Sequence, residues 1–291
     1  MHRRTFVRGL GAALALPAVL PTALSAALPG AAAAPAPRRV ERVGIQLYTL
    51  RDAARADLTQ TLTSLAAIGY QEVELLDSLK NFGMPAAQLR ALLDRLKLRA
   101  PSTHIGTDAL DDLPRLTGDA QTLGHAYVVV ASLPLDRKTM TLDDYRRWAD
   151  RMNTAGETLR RANLWLAFHD EAWDFTPING QQPYDVFVQA LDPQRVRLQL
   201  DTGNAAVGGR DPLALMERYA DRYWLFHLKD AERLGAEHDA ELGKGVVDLK
   251  KILAHVPSLT DRHFFVEQES YPGAPIDSAR RDYAYMAALR F

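Results

Sequence analysis

The 291 residues contain no cysteine. That absence excludes disulfide cross-links, thiolate metal sites and a cysteine nucleophile. A cysteine-free chain in an oxidising compartment has to draw its stability from a well-filled core. No glycine-rich phosphate loop follows the first strand-like run, which argues against an open dinucleotide-binding sheet. An excess of basic residues is missing too, with 35 Lys and Arg against 36 Asp and Glu and a formal net charge of −1. Three of those basic residues and none of the acids lie in the first 34 positions, leaving 32 against 36 and a charge of −4 for the rest. Nucleic-acid binding asks for a basic face that this balance does not supply. There is no short internal repeat and no linker, so a single folded domain is expected.

The N-terminus reads as an export signal. Arg3-Arg4-Thr5-Phe6-Val7-Arg8 is a twin-arginine pattern, followed by an Ala/Leu-rich stretch and then small residues and prolines up to Pro37. Cleavage is expected between Ala27 and Ala34, giving a signal over residues 1–34 and a working domain over residues 35–291. Pro17, Pro21 and Pro29 disfavour a stable spanning helix. The chain is therefore expected to be exported or periplasmic, with membrane contact only during export. Twin-arginine export carries folded proteins, which suits a protein that takes up a metal in the cytoplasm.

The roughly 255 residues that follow are enough for one large α/β barrel. β-type runs alternate with amphipathic helical stretches throughout them. Strands are expected at Val43–Tyr48, Glu72–Leu75, Arg99–Ile105, Tyr127–Val130, Leu164–Phe168, Val196–Leu200, Trp224–His227 and Phe264–Glu267. Helical periodicity marks Leu58–Ile68, Ala86–Leu96, Leu142–Ala162, Tyr184–Ala190, Pro212–Ala220, Leu249–His255 and Ile276–Leu289. Eight strands of this kind read as a single (β/α)8 TIM barrel, whose active site lies at the C-terminal ends of the strands.

The residues at those ends carry chemistry. Phe168-His169-Asp170, Leu200-Asp201-Thr202, Phe226-His227-Leu228-Lys229-Asp230 and Val266-Glu267-Gln268 end four consecutive barrel strands. His169, Asp201, His227 and Glu267 can therefore be aimed at one point as metal ligands. Two imidazoles and two carboxylates form a mixed N/O set that suits Mn²⁺, Zn²⁺ or Co²⁺ better than Ca²⁺ or Cu⁺. Gln46, Glu74, His104 and Lys229 also fall at strand ends. His104, Glu74 and Glu267 are candidate acid/base groups, Lys229 a candidate catalytic group that stabilises an enolate, and Gln46, His104, Trp173 and Lys229 candidate substrate contacts. For Lys229 a rim charge paired with Asp230 is the plainer alternative, and for Trp173, Tyr48 and Phe82 it is core packing. Lys244 falls on a loop that can fold over the mouth, while Arg51 and Arg210 form no phosphate cluster.

The order of the motifs resembles the sugar phosphate isomerase/epimerase family of xylose isomerase-like TIM barrels. The matching pieces are GIQLYTLRD (Gly44–Asp52), IGYQEVEL (Ile68–Leu75), LDTGNAAVGGRDP (Leu200–Pro212), FHLKDAE (Phe226–Glu232), ELGKGVVDLKKIL (Glu241–Leu253) and FFVEQES (Phe264–Ser270). They span nearly the whole of the chain after the signal. By this resemblance Asp201, His227 and Glu267 correspond to metal ligands. The fifth strand departs from the family, many of whose members carry Glu there. His169 aligns best as the fourth ligand, with Glu171 as the alternative.

A divalent metal in such a site polarises a carbonyl and acidifies the neighbouring C–H. The resemblance implies an isomerase or epimerase acting on an unphosphorylated sugar or sugar derivative through an enediolate. β-Elimination from a 3-keto-glycoside is the alternative on the same site. A phosphodiesterase resembling endonuclease IV would need more metal ligands, and a non-catalytic sugar-binding protein would not need four. The partner expected is a small sugar or glycoside, with no nucleic acid, and a homodimer is compatible with the chain.

Overall fold

The computed structural model describes Pro37–Phe291 apart from residues 236 and 237. The expected signal lies outside the described residues. Each barrel strand is short and buried over most of its length, as a parallel strand covered on both sides must be. In chain order they are β1 (Val43–Gln46), β2 (Glu72–Leu76), β3 (Arg99–Ile105), β4 (Tyr127–Val130), β5 (Trp165–His169), β6 (Val196–Asp201) and β7 (Tyr223–Leu228). A two-stranded antiparallel ribbon, β8 (Asp230–Ala231) with β9 (Asp239–Ala240), intervenes before the eighth barrel strand, β10 (His263–Val266). The eight barrel strands are parallel and close in the order β1-β10-β7-β6-β5-β4-β3-β2.

The helices start where short polar side chains or prolines can satisfy their first turn. Asp57 caps α2 (Leu58–Ile68), which follows the short α1 (Arg51–Ala56). Pro85 precedes α3 (Ala86–Leu96), and Asp112 caps α4 (Leu113–Leu123). Thr141 and Asp144 form a capping box on α5 (Leu142–Arg161). Pro183 opens α6 (Pro183–Ala190), Asp201 caps α7 (Thr202–Val207), and Asp211 caps α8 (Pro212–Tyr219). Asp248 caps α9 (Leu249–Ala254), and Pro275 opens α10 (Pro275–Ala288).

Alternation along each strand divides the barrel interior into layers. A small apolar layer of Tyr127, Val129, Ala167, Leu225 and Phe265 fills its middle. Gly44 belongs to that packing, since a Cβ there would meet Phe265 Cδ1 at 2.5 Å. Below it, Arg197 lies between the rings of Trp165 and Trp224, 3.9 and 4.0 Å from their centroids. Arg160 and Arg262 cover the outer faces of the same two rings. Above it, toward the C-terminal ends, the interior turns polar.

Candidate metal centre

Seven of the eight barrel strands, all but β4, contribute side chains at or just past their C-terminal ends to the polar layer, and Glu74 of β2 sits at its middle. Its carboxylate accepts from Gln46 Nε2 at 2.7 Å, from Gln199 Nε2 at 3.0 and 3.1 Å, and from His227 Nε2 at 2.5 Å. Burial alone would raise its pKa. The imidazoles of His104 and His227 beside it, and the hydrogen bond from His227, overcome that and hold the group down at about 2. Glu74 is thus a fixed anion, both of whose oxygens accept hydrogen bonds within the protein.

That anion orients His227. With Nε2–H directed at Glu74, the ring turns Nδ1 toward Glu267 Oε2 at 2.9 Å and Asp201 Oδ2 at 3.7 Å. His169 is oriented the same way by a different partner. Its Nδ1 donates to the Ala131 carbonyl at 2.9 Å, leaving Nε2 facing Asp201 Oδ2 at 3.5 Å, an ion-pair contact rather than a hydrogen bond. Asp201 divides its two oxygens. Oδ1 accepts from the Gly203 and Asn204 backbone N–H groups, both at 2.8 Å, and so caps α7, while Oδ2 is left over.

His169, Asp201, His227 and Glu267 each offer one donor atom, all within 4.8 Å of one another, and all four are buried. His169 Nε2 and Asp201 Oδ2 have no hydrogen-bond partner among the described residues. Buried polar atoms are rarely left so, and two of them converging with two further donors fit a divalent cation of the N/O-preferring kind. The imidazoles of His104, His169 and His227 also come together. That trio fits a cation less well, because His227 and His104 engage Nε2 with Glu74 and Gln199.

One ammonium and the imidazoles balance the carboxylates among the protein's own groups. Lys229 Nζ bonds Glu269 at 2.5 Å and Asn204 at 3.2 Å and lies 3.6 Å from both Asp201 and Glu267. Burial opposes its charge, but Asp201, Glu267 and Glu269 outweigh it and raise its pKa well above the usual value. Asp201 is likewise held well below the carboxylate range, where Lys229 and the two imidazoles overcome its burial. Contact with Asp201 raises His169 to about 9 against its burial. His104 behaves oppositely. Burial, helped by the charges on His169 and His227, pushes it down to about 4 against the pull of Glu74, so it is a neutral imidazole.

The structure brings His104, His169, Asp201, His227, Lys229, Glu267, Glu74 and Gln46 into one cluster. Lys229 does not pair with Asp230, whose carboxylate instead accepts from the Gly243, Gly245 and Val247 backbone. Gln46 is engaged at both ends, donating to Glu74 and accepting from the Tyr48 N–H, rather than open to a substrate. Trp173 is half-buried, with the Arg137 guanidinium 3.8 Å over its ring. Tyr48 similarly carries Arg51 at 4.4 Å, and Lys244 pairs with Glu241. Gln199, Asn204 and Glu269 escape the sequence reading. Their signal was parity, since Gln199 lies two residues before Asp201 and Glu269 two after Glu267, where side chains return to the same face.

A family model described as xylose isomerase-like TIM barrel matches residues 62–289. The inosose dehydratase of Geobacillus kaustophilus (strain HTA426) is 27% identical over 194 residues, 59% of this chain and 61% of that protein. The chain thus spans less than two thirds of the length of that curated relative. A sugar phosphate isomerase/epimerase from Parabacteroides distasonis ATCC 8503 superposes with a TM-score of 0.74 at 19% identity, covering 85% of this chain and 98% of that one. An IOLI protein with a binding zinc atom superposes with a TM-score of 0.65 at 14% identity, covering 84% and 96%. At these identities the superpositions bear on the fold alone.

Proposed function

The chain belongs to the xylose isomerase-like TIM barrel family, and from that premise we propose that it is a metal-dependent enzyme that eliminates a group from a keto sugar or cyclic keto-polyol. The observation that carries this reading is the meeting of two orphaned buried atoms, His169 Nε2 and Asp201 Oδ2, with His227 Nδ1 and Glu267 Oε2. When bound there, a divalent cation (Mn²⁺, Zn²⁺ or Co²⁺) supplies Lewis-acid polarisation of a ketone oxygen.

The residues around that point account for the rest. His104, neutral beside three charged groups, takes the proton from the carbon next to the ketone. The C–H electron pair forms the enolate. Its collapse breaks the C–O bond at the following carbon and releases water or an alcohol, whose oxygen takes up the proton that His104 removed. Lys229 keeps the carboxylates of Asp201 and Glu267 paired and in place throughout. The name of the Geobacillus kaustophilus relative, inosose dehydratase, supports elimination over the isomerisation that the family resemblance puts first. So does His169, which stands at the end of β5 where many family members carry Glu: its Nδ1 is committed to the Ala131 carbonyl and its Nε2 faces the other donors, so the strand end itself supplies no carboxylate base. The second reading is isomerisation or epimerisation. It is favoured by Glu267, whose Oε1 has no hydrogen-bond partner among the described residues and is available as a second base.

The test is direct. Protein purified from its own exported pool is expected to hold close to one equivalent of transition metal. In D₂O, 3-keto-glycosides and keto-polyols are expected to lose aglycone or water. Deuterium uptake without release would turn the assignment to the second reading, and less than about a tenth of an equivalent of metal with no metal-stimulated turnover would sink both.

A further inference from the structure

We propose that Gln199 is a positioning residue that fixes His104 in the Nε2–H tautomer and thereby keeps Nδ1 as a free lone pair. This rests on the role given to His104 above, but the proton it locates can be observed without any substrate. Gln199 and His104 lie on strands that are not neighbours in the sheet, and their side chains meet across the barrel.

The argument follows donors and acceptors along a chain of three groups. Both oxygens of Glu74 meet the same atom of the Gln199 amide, and a carboxyl group, which carries at most one proton, could donate to it from only one of them. Gln199 must therefore present its NH₂ to Glu74, and the contacts at 3.0 and 3.1 Å are with that nitrogen. An amide has one carbonyl and one NH₂, so the end turned to His104 is Oε1, which lies 2.8 Å from His104 Nε2. A carbonyl oxygen cannot donate, and the proton in that contact has to be on His104. Flipping the amide would set Oε1 against the Glu74 carboxylate in a fully buried place, leaving two acceptors facing each other. His104 Nε2 also lies 3.3 Å from Glu74 Oε2, where a nitrogen bearing hydrogen is favoured over a lone pair. His104 Nδ1 has no hydrogen-bond partner among the described residues and is the remaining site for a proton to arrive. Orientation thus passes from Glu74 through Gln199 to His104, while Glu74 separately orients His227. One anion thereby sets the tautomer of both the proposed base and a proposed ligand.

The test reads the tautomer. Long-range ¹H–¹⁵N correlation on the full chain loaded with Zn²⁺, which is diamagnetic, is expected to show His104 with its proton on Nε2. In Gln199→Met, which keeps length and bulk, the Nε2–H form is expected to give way to a mixture. Metal content should stay unchanged and kcat should fall about 10–100-fold with KM little altered, the range for losing an orienting partner. Gln199→Glu, whose second carboxylate would face Glu74, is not expected to restore kcat. A wild-type His104 protonated on Nδ1, or a Gln199→Met spectrum identical to wild type, overturns the proposal, and the wild-type spectrum decides even if the variant fails to fold. If the tautomer behaves as described but no ketone is turned over, the proposed function fails and the positioning role stands.

Discussion

Asp201 shows how one side chain can serve fold and site at once. Its Oδ1 holds the first turn of α7 while Oδ2 faces the three other donors. Asp201→Asn keeps a capping oxygen but removes the charge, and is expected to stay folded while losing at least about 100-fold in metal affinity. His227→Ala is expected to do the same, and Glu74→Gln, which reaches the four donors only through the back of the His227 ring, to cost about 10–100-fold. Metal titration of the three variants, with circular dichroism to establish folding, checks the order. Retention of full affinity by either ligand variant would refute the ligand assignment. At this scale the four donors were legible because a strand-end His, Asp or Glu is conspicuous after an apolar run. Gln199 was not, because it sits inside Val-Arg-Leu-Gln-Leu-Asp with an apolar residue on either side. Gly203 was visible as part of a motif but not as a need. A Cβ there would meet Lys229 Cγ at 2.5 Å, so the lysine stem reaches the site only by passing over a glycine.

Elements with a strong period were legible almost to the residue, as with Leu58–Ile68, Ala86–Leu96 and Tyr127–Val130. Others were not. The helix Leu113–Leu123 went unread, although Leu113, Leu116 and Leu123 give it an apolar stripe, because Thr117, Gly118 and Thr122 lower its helix preference. The turn after β2 runs through Lys80, Asn81 and Phe82 at φ of 52°, 47° and 55°, and only the asparagine and the following Gly83 announce such a backbone. Lys97 raises the same issue where it can be tested cleanly. It ends α3 in the left-handed region at φ 57°, is exposed, and lies where helices commonly carry glycine. Lys97→Gly is expected to stabilise the fold by about 1 kcal/mol, since the Cβ strain there exceeds the entropy glycine adds to the unfolded chain. Denaturant unfolding should show a higher midpoint at unchanged slope, and a lower midpoint would contradict this account of the turn.

For the molecule as a whole, the question is whether the barrel needs its cation. The lower layers do not involve it. The apolar ring around Phe265 and the stacked Arg160, Trp165, Arg197, Trp224 and Arg262 close the barrel from the N-terminal end. At the site itself, Lys229 and protonated His227 already face Asp201 and Glu267, so an empty centre does not leave two buried carboxylates unpaired. The eight-strand closure was legible from alternation alone, whereas this internal charge balance depends on contacts between strands far apart in sequence. Chelation is therefore expected to leave the circular dichroism unchanged and the chain folded. Restoring a cation at about 100 times its dissociation constant adds about 2.7 kcal/mol of stability by mass action. For a domain of this size that corresponds to a rise in Tm of roughly 5–10 °C. Asp201→Asn should show no such rise under the same conditions, which separates binding at this centre from binding elsewhere on the surface. Unfolding on chelation would mean that Lys229 and His227 do not carry the balance assigned to them, and an unmoved Tm in the wild-type protein would mean that the four donors do not hold a cation.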